Sequence, residues 1–191
     1  MIITMANGKG GVGKTLVSLI LASALKKSGA SVSLSDRDPQ RSASGAAEAF
    51  ELELGEGGDI VIVDTAPWLD HEPTQAGIRD ADKVIVVTTP SPSDFARTVH
   101  SIKTIGDIRG GVDEVFVAFN RIQNNSFGRD RALLNDAFGC RVFDKCLRSR
   151  TAYEQSMLGG WKSLNRVAQN EATELALAIL ANVSSKKKSS K

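Results

Sequence analysis

Asn7-Gly8-Lys9-Gly10-Gly11-Val12-Gly13-Lys14-Thr15 is the stretch that decides the fold of this chain. An apolar run, Met1-Ile2-Ile3 with Met5 and Ala6, leads into it, and Leu16, Val17, Leu19, Ile20 and Leu21 follow it. The order is therefore strand, glycine-rich turn, helix. Gly8-x-x-x-x-Gly13-Lys14-Thr15 fits the phosphate-binding loop pattern. The glycines let successive backbone N–H groups turn inward as an electropositive nest. The helix starting near Lys14 aims its positive dipole end at the same anion. Lys14 supplies a point charge for the terminal phosphates, and the Thr15 hydroxyl suits Mg²⁺, a hard ion that prefers oxygen.

A second lysine, Lys9, stands near the start of the loop in Lys9-Gly10-Gly11-Val12-Gly13-Lys14-Thr15. It is poorly placed to duplicate Lys14 but could reach a nucleotide held by a facing subunit. Here the chain resembles the deviant Walker ATPases of the ParA/MinD family, whose signature lysine occupies this position. The resemblance implies a P-loop α/β fold, with a mostly parallel twisted sheet flanked by helices on both faces. It also implies an ATP-sandwich homodimer in which each signature lysine contacts phosphate across the interface.

Bulk properties fit such a reading. The 191 residues suffice for one domain with a proper core. Apolar residues make up 41% and charged residues 24%, ordinary values for a globular protein. No apolar run approaches the roughly 20 residues that span a bilayer, and the N-terminus lacks a signal-peptide layout. Cys140 and Cys146 have no companion cluster for a metal, so reduced thiols and a cytoplasmic location are expected. Net charge is +2, unevenly spread: residues 51–94 hold ten acids and two bases, whereas residues 121–170 hold nine bases and four acids. We expect one domain over residues 1–183, followed by a disordered basic tail, 184–191.

Val17, Ile20, Leu21, Ala24 and Leu25 recur at helical spacing and predict a helix burying one face. Ser31–Ser35 reads as the next strand, completing a right-handed βαβ unit. Asp36-Arg37-Asp38-Pro39-Gln40 follows, two carboxylates at a strand end where α/β sheets place ligands. The family carries the same Asp-x-Asp-Pro-Gln pattern, which implies that Asp36 lies near the Mg²⁺ shell and that Asp38 orients the attacking water. Residues 42–50 predict a short helix capped near Ser42, and residues 51–58 a surface connection. Asp59–Val63 is a buried strand running into Asp64, which would hold Mg²⁺ through water opposite Thr15. Trp68 is expected to pack against the switch region. A strand at 81–89, a helix at 95–108 and a strand at 112–119 follow, the last ending at Asn120-Arg121. The Asp with which a GTPase reads guanine is missing after Asn120, which favours adenine, and the resemblance assigns Asn120 to the base. The ATP-binding set so implied is Lys9, Gly10, Gly11, Val12, Gly13, Lys14, Thr15, Leu16, Asn120 and Arg121, with Lys9, Lys14 and Asp38 catalytic and Thr15, Asp36 and Asp64 at the metal. Beyond it, a helix is expected at 129–138, a short strand at 140–143, a basic turn at 147–153 and a final helix at 171–183.

The resemblance implies a slow ATPase whose dimer binds DNA non-specifically on the nucleoid and releases it on hydrolysis, stimulated by a ParB-like or cargo adaptor protein. It is closest to the small members without an N-terminal DNA-binding domain, used in plasmid or chromosome partition or cargo positioning. Arg148, Arg150, Lys162, Arg166, Lys186, Lys187 and Lys188 are the candidate DNA contacts. Two alternatives compete. A MinD-like membrane switch would use residues 171–183 as an amphipathic anchor, but that segment is Ala-rich and lacks Trp and Phe. An ATP-dependent carboxylate-activating synthetase would need substrate motifs not seen here.

Overall fold

The structure is a computed structural model that describes residues 1–123 and 131–181. Its centre is a seven-stranded, all-parallel sheet in the order β3-β2-β4-β1-β5-β6-β7. The strands are β1 (Ile2–Ala6), β2 (Val32–Arg37), β3 (Glu53–Leu54), β4 (Ile60–Thr65), β5 (Lys83–Thr88), β6 (Val115–Phe119) and β7 (Arg141–Val142). Every residue of β4, β5 and β6 is buried, as expected for a parallel sheet covered on both faces. Helices α1 (Lys14–Lys27), α2 (Ser42–Ala46), α6 (Thr151–Gly159) and α7 (Arg166–Ala181) cover one face. Helices α3 (Glu72–Asp80), α4 (Pro92–Arg109) and α5 (Arg131–Phe138) cover the other. Strand β1 lies between β4 and β5, so chain order reverses beside it and the loop after β1 opens at the switch point.

Helix α1 departs from the one-faced expectation: Val17 through Leu25 are all buried. Its small residues Ala22, Ser23 and Ala24 let α7 and the turn carrying Phe50 close over the side turned from the sheet. Helix α7 begins earlier than residue 171, at Arg166, because the Asn165 carboxamide oxygen accepts the Ala168 N–H at 3.0 Å and caps it. The cap of α2 is also not the expected Ser42. Arg41 occupies that position, and the Asp36 carboxylate accepts both the Ser44 N–H (2.7 Å) and hydroxyl (2.8 Å). The connection at 51–58 contains β3, which pairs with β2 and extends the sheet. Helix α3, not predicted, starts at Glu72 with Pro73 in its first turn, a position that tolerates proline. The helix expected at 129–138 is described from Arg131, and the tail with Lys186, Lys187 and Lys188 lies outside the described residues.

Candidate functional site

The loop between β1 and α1 is built as an anion cradle. Gly11 and Gly13 have φ of +80° and +94°, turning backbone N–H groups to one side. Helix α1 starts with no capping side chain and no acid in its first turn, leaving its N–H groups for an anion. Beside them is a cavity of about 500 Å³ lined by loop glycines, Lys14, Thr15, Leu16, Asp38, Gln40, Ser42, Thr65, Pro67, Arg121, Glu154 and Met157. The expected phosphate-site residues Gly10, Gly11, Gly13, Lys14, Thr15, Leu16 and Asp38 therefore share one cavity. Val12 is buried in the core beneath, so it contributes backbone alone.

Three buried charges meet here. The Lys14 ammonium donates to the carbonyls of Asn7 (3.2 Å) and Lys9 (3.4 Å). Burial lowers its pKa, against the attraction of Asp64 and Asp38. Asp64, fully buried at the end of β4, accepts the Thr15 hydroxyl at 2.7 Å and the Ser18 hydroxyl at 3.0 Å. Burial pushes its carboxyl up to about 6, the Thr15 and Ser18 hydrogen bonds oppose this, and Asp36 on the neighbouring strand adds to it. Asp38 is held by its own turn, its carboxylate accepting the Gln40 N–H at 2.9 Å. Asp36, by contrast, is engaged with α2, and its negative field rather than a free oxygen reaches Asp64. Thr15 and Asp64 bring a hydroxyl and a carboxylate oxygen within 2.7 Å of each other, a hard-oxygen donor set that fits Mg²⁺.

Lys9 is placed elsewhere. It lines a second cavity of about 500 Å³ with Gly10, Gly11, Thr89, Pro90, Ser91, Asp94, Arg121 and Gln123. The two cavities share Gly10, Gly11 and Arg121, but Lys9 lines only this one and Lys14 only the other. Asn120 has a structural task that its assignment to the base does not include. It is 1% exposed, donates to the Val12 carbonyl at 3.0 Å and accepts the Arg121 N–H at 2.9 Å. Its amide is used to hold the loop, and a Cβ on Gly13 would lie 2.3 Å from its nitrogen. Arg121 adds a bond to the Gly11 carbonyl at 3.2 Å, with its guanidinium bordering both cavities. Trp68 is 48% exposed and meets His71 edge-on, rather than being packed away.

Several participants were not read from the sequence. Ser18 lies three residues beyond Thr15, on the same helix face, a spacing that could have revealed it. Glu154 and Met157 reach the cavity from α6, brought there by tertiary packing with no local signal. Among the cations expected to meet DNA, Arg150 forms a fork with Glu171 (2.9 and 2.6 Å) and Arg148 bridges the same carboxylate at 3.2 Å. Lys162 pairs with Glu51, while Arg166 is exposed at the start of α7.

A parallel sheet, a glycine-rich anion loop at its switch point and paired strand-end carboxylates define a P-loop nucleotide-binding protein. Residues 3–184 match the CobQ/CobB/MinD/ParA nucleotide binding domain, and the chain belongs to that family. It is similar to the Maintenance of carboxysome distribution protein A of Gloeobacter kilaueensis, 31% identical over 192 residues that cover 88% of this chain and 86% of the relative. Among solved structures it resembles the MinD cell division protein of Aquifex aeolicus (TM-score 0.73, 17% identity, 94% of this chain and 96% of that one). It likewise resembles an ATP complex of McdA from Cyanothece (TM-score 0.72, 13% identity, 94% and 96% coverage).

Proposed function

We propose that this chain is an ATP-driven positioning switch: an ATP-sandwich homodimer that binds DNA non-specifically and lets go when ATP is hydrolysed. The observation that carries the reading is the separation of the two lysines. Lys14 shares the first cavity with Thr15 and Asp38, whereas Lys9 opens on the second, which leaves Lys9 for the nucleotide of a facing subunit. The 31% identical relative, named for carboxysome distribution, supports cargo positioning, with plasmid or chromosome partition as the wider class.

Lys14 and the amides of Gly11, Gly13 and the α1 N-terminus would bind the β- and γ-phosphates. Thr15 and Asp64 would hold Mg²⁺, with Asp36 adding negative field; the ion neutralises charge on the phosphates. Asp38, fixed by the Gln40 N–H, presents a carboxylate oxygen to orient the attacking water. Lys9 would complete the charge on the partner's nucleotide. Hydrolysis by these groups alone is slow, and an adaptor protein accelerates it. The membrane alternative is disfavoured because Ala172, Leu175, Ala176 and Ile179 of α7 are buried in the core. A cytoplasmic, nucleoid-associated location follows from the same reading.

The test is sedimentation on non-specific duplex DNA with ATP, ADP or no nucleotide, at two salt concentrations, with Lys9→Ala in parallel. ATP-dependent, salt-sensitive binding lost in the variant is the expected result. Binding indifferent to nucleotide would remove the switch from the reading, and absence of DNA binding would remove the DNA.

A further inference from the structure

The front half of the phosphate loop is held by a buried polar network that reaches it from α4. Asn7, the first loop residue, is 0% exposed, and its amide donates to the Val87 carbonyl (2.8 Å) and to Thr98 Oγ1 (3.3 Å). Its carbonyl oxygen accepts the Lys9 N–H at 2.9 Å and lies 2.9 Å from the Ser101 hydroxyl. Ser101 Oγ, in turn, accepts the Gly8 N–H at 3.1 Å and lies 2.8 Å from the Arg97 carbonyl, so one hydroxyl proton is shared by two acceptors. A Cβ on Gly8 would come within 3.2 Å of that hydroxyl, so backbone and α4 are in close approach. One helical turn earlier, Thr98 Oγ1 meets Thr88 Oγ1 at 2.7 Å and donates to the Asp94 carbonyl at 2.7 Å. Asp94 lines the second cavity with Lys9.

The loop is thus gripped at two places by different elements. Asn120 and Arg121 after β6 hold its back half, through Val12 and Gly11, where phosphate would bind. Ser101 and Thr98 hold its front half, through Gly8 and Asn7, and the Asn7 side chain in turn accepts the Lys9 N–H. Neither hydroxyl lines either cavity, so neither would touch nucleotide.

We infer that Ser101, backed by Thr98, is a positioning residue for Lys9: it aims the signature lysine across the dimer face without taking part in nucleotide binding by its own subunit. The inference rests on the proposed ATP-sandwich dimer. It makes α4 the element through which a contact at the second cavity, near Asp94, reaches the cross-subunit lysine; Lys14 also rests on the Asn7 and Lys9 carbonyls, so its site is followed in parallel.

The test separates the two halves of the loop. Mg-ADP affinity by titration calorimetry and ATP-dependent dimerisation by analytical ultracentrifugation are measured for wild type, Lys9→Ala, Ser101→Ala and Ser101→Thr, which keeps the hydroxyl. Loss of buried hydrogen bonds of this kind predicts that Ser101→Ala weakens dimerisation by about fivefold or more. ADP affinity should stay within about threefold, and Ser101→Thr should recover part of the loss. Equal losses in ADP affinity and dimerisation would reduce Ser101 to a general structural role and overturn the inference, as would a variant that dimerises like wild type. If the wild type itself does not dimerise with ATP, the proposed dimer fails, and the hold on the loop is then read from amide exchange in the monomer. Faster exchange at Gly8 and Lys9 in Ser101→Ala would support the grip, and unchanged exchange would refute it.

Discussion

Replacing Asp64 by Asn should make the ligand-free protein more stable while damaging its site. Asp64 is fully buried, and its carboxyl is raised from 3.8 to about 6, chiefly by burial. Between these values the unfolded chain has released its proton and the folded one has not. The native state therefore binds more protons, and stability falls as pH rises from about 4 to about 6, then levels off. Some two units at about 1.36 kcal/mol each set the cost of the ionised carboxylate near 3 kcal/mol. An asparagine avoids it with no bond lost. Its carbonyl oxygen can face Thr15 Oγ1, now 2.7 Å from Oδ2, and its nitrogen can donate to Ser18 Oγ, whose proton turns to the Lys14 carbonyl 3.0 Å away. Lys14 loses an attractive partner, which leaves a net gain of about 1–3 kcal/mol at pH 8.

Urea unfolding with EDTA from pH 4.5 to pH 8 measures this. The midpoint should rise in Asp64→Asn at pH 8 with an unchanged slope, and the two proteins should converge toward pH 4.5. A variant less stable than wild type at pH 8, or a difference independent of pH, would refute the assignment of an unfavourable buried charge. Added Mg-ATP should reverse the order, stabilising wild type far more than the variant.

Gly13→Ala should abolish nucleotide binding in titration calorimetry, because a Cβ at φ +94° strains the backbone and meets Asn120 Nδ2 at 2.3 Å. Unchanged affinity would mean that the loop rearranges more freely than its bonds to Asn120 and Arg121 indicate. Arg150→Ala should lower the unfolding free energy, by about 1–3 kcal/mol in urea titration, since it leaves the partly buried Glu171 with one arginine and opens its contact with Tyr153. Reduced DNA binding at full stability would instead return Arg150 to the DNA surface.

The strand–loop–helix unit and the two strand-end acids were legible because each rests on local rules: burial of whole strands, glycine backbone freedom, and acids at sheet edges. Asn120 was legible as the residue that ends β6, but not as a holder of the phosphate loop. Nothing in Phe119-Asn120-Arg121 indicates that Val12 would lie 3.0 Å from its amide, a contact 108 residues away in the chain. Ser101 and Thr98 were illegible for the same reason, since a hydroxyl on an amphipathic helix reads as ordinary until the strands are ordered. The basic segment was legible as charge alone. Whether Arg148 and Arg150 face solvent depends on Glu171, which α7 brings to them one and a half turns after its start.

These particulars give the site a common logic. Asp64 is held in the fold at a cost when ionised, and Lys14 is likewise disfavoured as a cation by burial. They oppose one another only in part, because the lysine is directed at backbone carbonyls while the acid is directed at hydroxyls. A nucleotide phosphate beside Lys14 and a divalent cation beside Asp64 would relieve both at once. Binding would thereby be coupled to stability at the junction of β1, β4 and α1, the centre of the sheet. The loop cannot collapse onto these charges in the meantime, because Asn120 holds it from one side and Ser101 from the other. A protein so arranged should gain more rigidity from Mg-nucleotide than from either component alone. That non-additivity, read as the unfolding midpoint with magnesium, with nucleotide and with both, is what distinguishes a coupled charge site from two independent ones.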